Sequence, residues 1–326
     1  MRVLIMGAGA IGSVVGGFLA KAGHQVTLAG RDPHMAAARD RGLRITGIWG
    51  SHHISAFSVA TDVADLRRGD FDLILITVKS YDTRDAVRLI VPLVDENTLV
   101  CSYQNGLGNA EIIAEAVGWE QTVGARAIFG VRIPEPGVAE VTVIANPTAL
   151  GVYDPAAPTD RVREIAGLMD AAGLPSVYTD EIATVLWGKV AYNCALNPLS
   201  ALLDVPYGAL LDTEYTRSIM REIITELYAV GKAMDVPLKP ATPEEYIRLL
   251  FDVLIPPTAS HYASMREDFR HRRRTEIDAL NGAICRYAAQ YGVACPTNAV
   301  LTRLIHARER VLGVPSDECR GMSTQG

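Results

Sequence analysis

The chain has 326 residues, enough for about two domains that each bury a hydrophobic core. Its composition, 49% hydrophobic and 21% charged, is that of an ordinary soluble globular protein. The net charge of −6 argues against a nucleic-acid-binding or anionic-membrane surface, which needs a basic balance. The basic cluster at 270–274 is flanked by acidic residues, so we interpret it as a solvated helix face.

The cysteines and the N-terminus indicate the compartment. The cysteines are scattered, with no C-x-x-C pair, and predict neither a metal site nor a disulfide framework. A reducing cytoplasm is therefore expected. The N-terminal apolar stretch runs directly into a glycine turn, unlike a signal peptide, and no apolar run is long enough to span a bilayer. The cysteines are Cys101, Cys194, Cys285, Cys295 and Cys319.

A glycine motif follows the first apolar run. Residues 3–6 are typical of a parallel strand buried on both faces, and residues 7–12 form a full G-x-G-x-x-G. A helical pattern to Ala22 and a strand over 25–29 come next. In this β-α-β context the glycines allow a tight turn, backbone approach to a pyrophosphate, and close packing of helix on strand. We predict a dinucleotide-binding loop; a β-α-β unit without a nucleotide is the alternative. The loop residues are Gly7, Ala8, Gly9, Ala10, Ile11 and Gly12.

The residues after the second strand bear on which dinucleotide binds. An NAD site usually has an acidic side chain there for the ribose 2′-hydroxyl, whereas an arginine can clamp the 2′-phosphate of NADP. Arg31 stands near that position and is followed by Asp32. Arg31 favours NADPH as the cofactor. Asp32 could serve a ribose hydroxyl and keeps NADH as the alternative.

Two more polar residues follow buried strands. The strand predicted over 71–78 ends at Lys79, and the strand over 99–103 leads into a loop that contains Asn105. Ligands of open α/β sheets lie beyond the carboxyl ends of the strands, so both residues are well placed for cofactor or substrate. The alternatives are a solvent-facing lysine and an asparagine that simply precedes a glycine in a turn.

The strand and helix patterns divide the chain into two domains. Residues 121–153 are strand-like and interrupted by Pro and Gly, which predicts antiparallel edge strands that close the first domain. A helix over 159–172 and a short strand over 175–178 follow, and beyond 180 only helical periodicity remains. It predicts helices over 181–203, about 208–234, 243–254, 260–273, 275–291 and 297–312. The predicted fold is a Rossmann-type α/β dinucleotide-binding domain (1–180) followed by an all-α substrate and catalytic domain (181–314). A flexible tail is expected over 315–326.

A lysine and two asparagines share one face of the helix predicted over 181–203. Lys189, Asn193 and Asn197 are spaced by four residues in an otherwise apolar run, so a helix projects them from one side. Burying a lysine in such a run costs free energy unless it has a partner or a function. The alternative is a lysine that reaches the surface, with two amides that satisfy the backbone near Pro198.

Together these motifs resemble the ketopantoate reductase (2-dehydropantoate 2-reductase) family over almost the whole chain. The glycine loop with Arg31 and the strand end at Lys79 belong to the match, as does the loop at Asn105. The most specific parts are the lysine–asparagine face and a later segment, Ser264-Met265 followed by T-E-I-D-A-L-N-G over 275–282.

The resemblance implies NADPH-dependent reduction of a 2-keto acid, with 2-dehydropantoate giving pantoate for pantothenate and coenzyme A biosynthesis. In the family the match to Lys189 is the proton donor, and the match to Glu276 orients its ammonium. A general acid suits this reaction, because hydride addition leaves negative charge on the ketone oxygen. An ion pair of Glu276 with the arginine cluster is the alternative. In the family the matches to Asn193, Asn197 and Ser264 bind substrate, and those to Lys79, Asn105 and Glu276 line the cofactor side.

One departure from the family pattern concerns the substrate. Just before Gly208, well-characterised members have an asparagine that contacts substrate, and this chain has Tyr207. Asn105 also stays a candidate for substrate contact. A paralogous enzyme for another 2-keto acid and a non-catalytic NADPH-binding regulator are therefore the alternatives, along with related dehydrogenases of the β-hydroxy-acid or opine type. The partners expected are a small 2-keto acid and, by resemblance, a second copy of the chain in a homodimer.

Overall fold

The computed structural model describes residues 1–315, except for the side chain of Ala145. This part of the chain divides into two compact units, the first from Met1 to Ile182 and the second from Ala183 onward. The division lies two residues beyond the predicted boundary at 180/181. Cys319 and the predicted flexible tail, apart from Pro315, lie outside the described residues.

The first unit is built on one sheet of ten strands. The strands are β1 (Arg2–Met6), β2 (Gln25–Ala29), β3 (Leu43–Gly47), β4 (His52–Ile54), β5 (Ser58–Ala60), β6 (Leu73–Ile76), β7 (Leu99–Ser102), β8 (Thr122–Glu135), β9 (Val138–Val152) and β10 (Ser176–Tyr178). Their order is β4-β3-β9-β8-β7-β6-β1-β2-β5, with β10 beside β9. Because β2, β1, β6 and β7 pair in parallel, their carboxyl ends lie along one edge.

Helices cover both faces of this sheet. They are α1 (Ala10–Lys21), α2 (His34–Arg41), α3 (Thr83–Ile90), α4 (Asn109–Val117) and α5 (Thr159–Ala171). One core packs α1 and α5 against the sheet through residues such as Val15 and Ile165. A second core packs α3 and α4 on the other face through Val87 and Ile113. The central strands are therefore apolar on both sides, as their uninterrupted runs predicted.

The prediction of edge strands over 121–153 was wrong. β8 and β9 form one long antiparallel hairpin inside the sheet, since β8 also pairs with β7 and β9 with β3. Shifts of register beside Pro134 and Pro147 let both strands continue past residues that lack an amide N–H. Pro134 and Pro147 therefore mark bulges, whereas Pro136 and Gly137 form the turn between the two strands.

The described part of the second unit, up to residue 315, contains no strand, which confirms the all-α prediction. Its helices are α6 (Ile182–Leu203), α7 (Glu214–Ala233), α8 (Pro243–Leu249), α9 (Ser264–Arg270), α10 (Asn281–Tyr291) and α11 (Pro296–Val311). The helix predicted over 275–291 was wrong at its start. A short 3-10 turn covers Ile277–Ala279, and Leu280 leaves the helical region at φ −107° and ψ −109° before α10 begins. Glu276 thus lies in a connecting segment.

Within the described residues, 1–315, no helix has both the length and the apolar character that crossing a bilayer requires. The same residues include no cluster of three or more His, Cys, Asp or Glu side chains arranged to hold a metal ion.

Candidate active site

The glycine loop joins β1 to α1 under tight steric constraints. Gly7 has φ +103°, and a Cβ there would lie 2.5 Å from the backbone N of Val78. A Cβ on Gly12 would lie 2.6 Å from Oγ1 of Thr77. A Cβ on Gly9, by contrast, would have its nearest neighbouring atom 3.8 Å away, so this side of the loop is open. The loop therefore has two glycines required by packing and one that leaves its backbone accessible.

The start of α1 has the chemistry of an anion site. Gly9 is the N-cap, so no side chain caps the helix, and its first turn has no acidic residue. The first N–H groups of a helix and its dipole favour a phosphate group. With the open backbone at Gly9, the loop from Gly7 to Gly12 fits the pyrophosphate of a dinucleotide.

Arg31 and Asp32 have different surroundings. Nη2 of Arg31 donates to Oδ2 of Asp82 at 2.8 Å, while 79% of the arginine side chain stays exposed. Oδ1 of Asp32 accepts from the N–H of Ala36 at 2.9 Å, which satisfies a donor at the start of α2. One oxygen of Asp32 is thus engaged locally. The exposed guanidinium has further N–H donors that can meet a 2′-phosphate.

Buried amide contacts bring the loops of Lys79 and Asn105 together. Nε2 of Gln104, which is 7% exposed, donates to the carbonyl of Val78 at 2.9 Å and to Oγ1 of Thr83 at 2.8 Å. Lys79 is half-buried and Asn105 exposed. Gln104 therefore holds the loop after β7 against the end of β6. It directly precedes the predicted site residue Asn105, but its buried anchoring contacts had no sequence signal of their own.

The polar face of α6 lies in the second unit. Lys189 and Asn193 are half-buried, and Asn197 is 6% exposed. Since Asn193 is half-buried, its side-chain amide stays partly accessible to a ligand that reaches this face.

Tyr207 contacts this face directly. Its hydroxyl donates to Oδ1 of Asn197 at 2.6 Å, and the residue is only 4% exposed. Burial raises the pKa of Tyr207, so the hydroxyl keeps its proton and remains a donor. The rings of Tyr192 and His261 lie 5.8 Å and 5.3 Å from the Tyr207 ring. Tyr207 thus orients Asn197, so that its amide nitrogen points away from the phenol.

The segment that contains Ser264 is attached to the same region. The N–H of Ala263 donates to Oγ of Ser200 on α6 at 3.3 Å, and the N–H of Tyr207 donates to the carbonyl of His261 at 2.9 Å. Ser264, the first residue of α9, is exposed. Because Ser200 is one turn beyond Asn197, the structure brings Ser264 and the α6 face together.

Glu276 lies in a segment that α11 holds. The N–H of Thr275 donates to Oε1 of Glu309 at 2.7 Å. His306 lies between two carboxylates, 2.9 Å from Oδ1 of Asp278 and 3.0 Å from Oε2 of Glu309. Glu276 itself is half-buried. The residues on either side of Glu276 are therefore fixed by contacts that the sequence did not predict.

The first unit is a Rossmann-type dinucleotide-binding fold, and the second is a helical unit with a lysine–amide face. This pairing defines a class of two-unit nicotinamide-dependent oxidoreductases. The family profile described as ketopantoate reductase PanE/ApbA matches residues 3–155, and that of its C-terminal domain matches residues 181–309. The chain belongs to the ketopantoate reductase PanE/ApbA family, which uses NADPH.

Individual relatives agree with this membership. A 2-dehydropantoate 2-reductase of Aquifex aeolicus is 37% identical over 314 residues, covering 95% of this chain and 97% of that protein. The crystal structure of a PanE/ApbA family ketopantoate reductase from Ralstonia eutropha JMP134 has a TM-score of 0.85 at 32% identity, covering 96% and 100% of the two chains. A D-mandelate dehydrogenase with NADH and anilino(oxo)acetate has a TM-score of 0.86 at 26% identity, covering 97% and 100%.

Proposed function

We propose that this protein is an NADPH-dependent 2-dehydropantoate 2-reductase of pantothenate biosynthesis. The observation that carries the proposal is the α6 face, where Lys189 and two amides project from one helix in a chain of this family. The residues from Gly7 to Gly12 would hold the cofactor pyrophosphate, and Arg31 its 2′-phosphate. NADPH supplies the hydride when it is bound.

The chain's own residues would supply the proton and the orientation. Hydride addition to the 2-keto carbon places negative charge on its oxygen, and the ammonium of Lys189 is the proposed proton donor. Glu276 would orient that ammonium and balance its charge. The amides of Asn193 and Asn197 and the hydroxyl of Ser264 can bind the substrate's carboxylate and hydroxyl without adding a fixed charge. Lys79 and Asn105 are proposed to line the cofactor side, with Asn105 also a candidate for substrate contact.

A second candidate is reduction of a different 2-keto acid. It is favoured by the bond from Tyr207 to Asn197, because this bond takes up an acceptor of a proposed substrate amide and places a phenol ring beside it. The NADH-bound D-mandelate dehydrogenase has a closely similar fold, so the fold accommodates other 2-hydroxy acid chemistry and NADH.

The test is NADPH consumption by the purified protein with 2-dehydropantoate, beside a panel of branched and aromatic 2-keto acids and beside NADH. A strong preference for 2-dehydropantoate with NADPH is the expected result. Turnover only with another 2-keto acid would move the assignment to the second candidate. Tight NADPH binding without any turnover would favour a non-catalytic regulator.

We also propose a cytoplasmic location and a homodimer. Both are supported by resemblance to biosynthetic reductases rather than by a contact in the structure. Size-exclusion chromatography with light scattering tests the dimer; a single peak at 35.2 kDa would contradict it.

A further inference from the structure

Pro198 leaves one carbonyl of α6 without its helical donor. In an α-helix each carbonyl accepts from the N–H four residues later. The partner of the Cys194 carbonyl would be residue 198, which is proline and has no N–H, although α6 continues to Leu203. Cys194 is fully buried, so water cannot take the place of the missing donor. This carbonyl lies on the turn between Asn193 and Asn197.

Asn281 supplies that donor. Its Nδ2 lies 3.2 Å from the Cys194 carbonyl oxygen, and the residue is fully buried at the start of α10. The second hydrogen of the same Nδ2 is directed at Oδ1 of Asn298, 2.9 Å away. Both amide hydrogens of Asn281 are therefore used.

A carboxylate fixes the direction of these amides. Oε2 of Glu226 on α7 accepts from Nδ2 of Asn298 at 2.7 Å and from its backbone N–H at 3.0 Å. An ionised carboxylate only accepts, so Nδ2 of Asn298 must face it and Oδ1 must face away, toward Asn281. Asn281 then has to present its own Nδ2 both to Asn298 and to Cys194. The network joins α7, α11, α10 and α6.

We infer that Asn281 is a positioning residue: it supplies the hydrogen bond that Pro198 removes and thereby fixes the α6 face on which Asn193 and Asn197 lie. This gives a physical role to the asparagine of the T-E-I-D-A-L-N-G segment, which the proposed chemistry does not use. The inference deepens the proposed function and rests on it for the role of the α6 face. The hydrogen-bond network can be tested without any substrate.

The test is a double-mutant cycle between Asn281→Ala and Pro198→Ala, measured as shifts in Tm. In the wild-type background, which retains Pro198, N281A leaves the Cys194 carbonyl without a hydrogen-bond donor. It is expected to lower Tm by roughly 3–8 °C. In the P198A background, the introduced alanine offers its own N–H to that carbonyl, so the same change should cost much less. Equal Tm losses in the two backgrounds would overturn the inference.

A matched control uses another side-chain donor to α6. The hydroxyl of Tyr246 donates to the carbonyl of Gly188 at 2.7 Å, and the helical donor of that carbonyl, at residue 192, is not proline. Tyr246→Phe should therefore lower Tm equally in both backgrounds. If N281A alone is not recovered folded, the P198A/N281A double variant should be; its failure to fold would contradict the inference.

Kinetics separate positioning from a purely structural role. N281A should raise KM for the 2-keto acid several-fold more than it lowers kcat, and P198A should reduce that rise in the double variant. An unchanged KM in folded N281A would leave Asn281 purely structural and overturn the positioning role. If the wild type turns over no 2-keto acid but the Tm cycle shows coupling, the proposed function fails while the hydrogen-bond network stands.

Discussion

The two candidate binding regions are built in different ways. The loop from Gly7 to Gly12 offers backbone N–H groups at a helix start, and its side chains matter mainly by being absent. The α6 face offers side chains from Lys189 to Asn197, and the direction of Asn197 depends on Tyr207, which lies outside α6. A backbone site is therefore specified by a contiguous motif, whereas a side-chain site depends on contacts distant in sequence.

The largest expected effect is at the proposed proton donor. Lys189→Ala should lower kcat by about 10²- to 10⁴-fold, because a positioned general acid typically contributes that much. Binding of NADPH, measured by fluorescence titration, should be largely spared. Lys232→Ala, an exposed lysine near the end of α7, is the control and should leave kcat unchanged. Turnover that survives in K189A would show that another group donates the proton.

Two glycine variants test the backbone region. Gly7→Ala should destabilise the first unit, since a Cβ there meets the Val78 backbone at 2.5 Å and φ is +103°. In Gly9→Ala the added Cβ has its nearest neighbouring atom at 3.8 Å, so the Tm of this variant should change far less. Its methyl group would occupy the side proposed for the pyrophosphate, and NADPH affinity should fall by roughly tenfold or more. Normal affinity in folded G9A would argue against this loop as the cofactor site.

Arg31 is the one side chain proposed to select the cofactor. Arg31→Ala should weaken NADPH by about 10- to 100-fold, as expected for lost charge-assisted hydrogen bonds, and NADH much less. The measurement is the ratio of Kd values for the two cofactors. Equal losses would remove the 2′-phosphate role and leave Arg31 as a partner of Asp82.

Tyr207 tests how far the side-chain region depends on its neighbours. Tyr207→Phe keeps the ring but removes the donor to Asn197, so KM for the 2-keto acid should rise about 2- to 10-fold. NADPH affinity should not change. Tyr207→Asn, which introduces the residue expected from the family resemblance, should shift the ranking of the 2-keto acid panel. An unaltered ranking would mean that residue 207 does not set specificity.

The smallest expected effect is the pH dependence of stability that His306 confers, beside the segment of Glu276. Desolvation alone would lower the pKa of His306, but hydrogen bonds and charges from Glu309 and Asp278 outweigh it and raise the pKa. A raised pKa stabilises the fold fully below the unfolded value of about 6.5, and the contribution is lost as pH rises through the folded value. His306→Gln should therefore lower Tm more at about pH 5.5 than at about pH 8.5. A loss that does not depend on pH would rule out a charged imidazole here.

Most of the fold was predictable because it rests on local patterns. The apolar runs of β1 and β6 predicted buried parallel strands, and helical periodicity predicted α6 and α11. The errors fell where tertiary contacts override local propensity. β8 continues through Pro134 because register shifts accommodate it, and the helix expected from 275 begins at Asn281 because Leu280 leaves the helical region.

The sequence by itself determined the glycine loop and the shared face of Lys189, Asn193 and Asn197, because each rests on residues at short, fixed spacing. It also indicated the family, through motifs spread over almost the whole chain. Only the tertiary structure decided how those side chains are held. Tyr207 reaches Asn197, Gln104 holds the loop of Asn105 at the end of β6, and Asn281 satisfies the carbonyl that Pro198 frees. A hydrogen bond between residues far apart in sequence has no local pattern to predict it. It forms only where packing removes water and leaves a buried donor or acceptor to be satisfied.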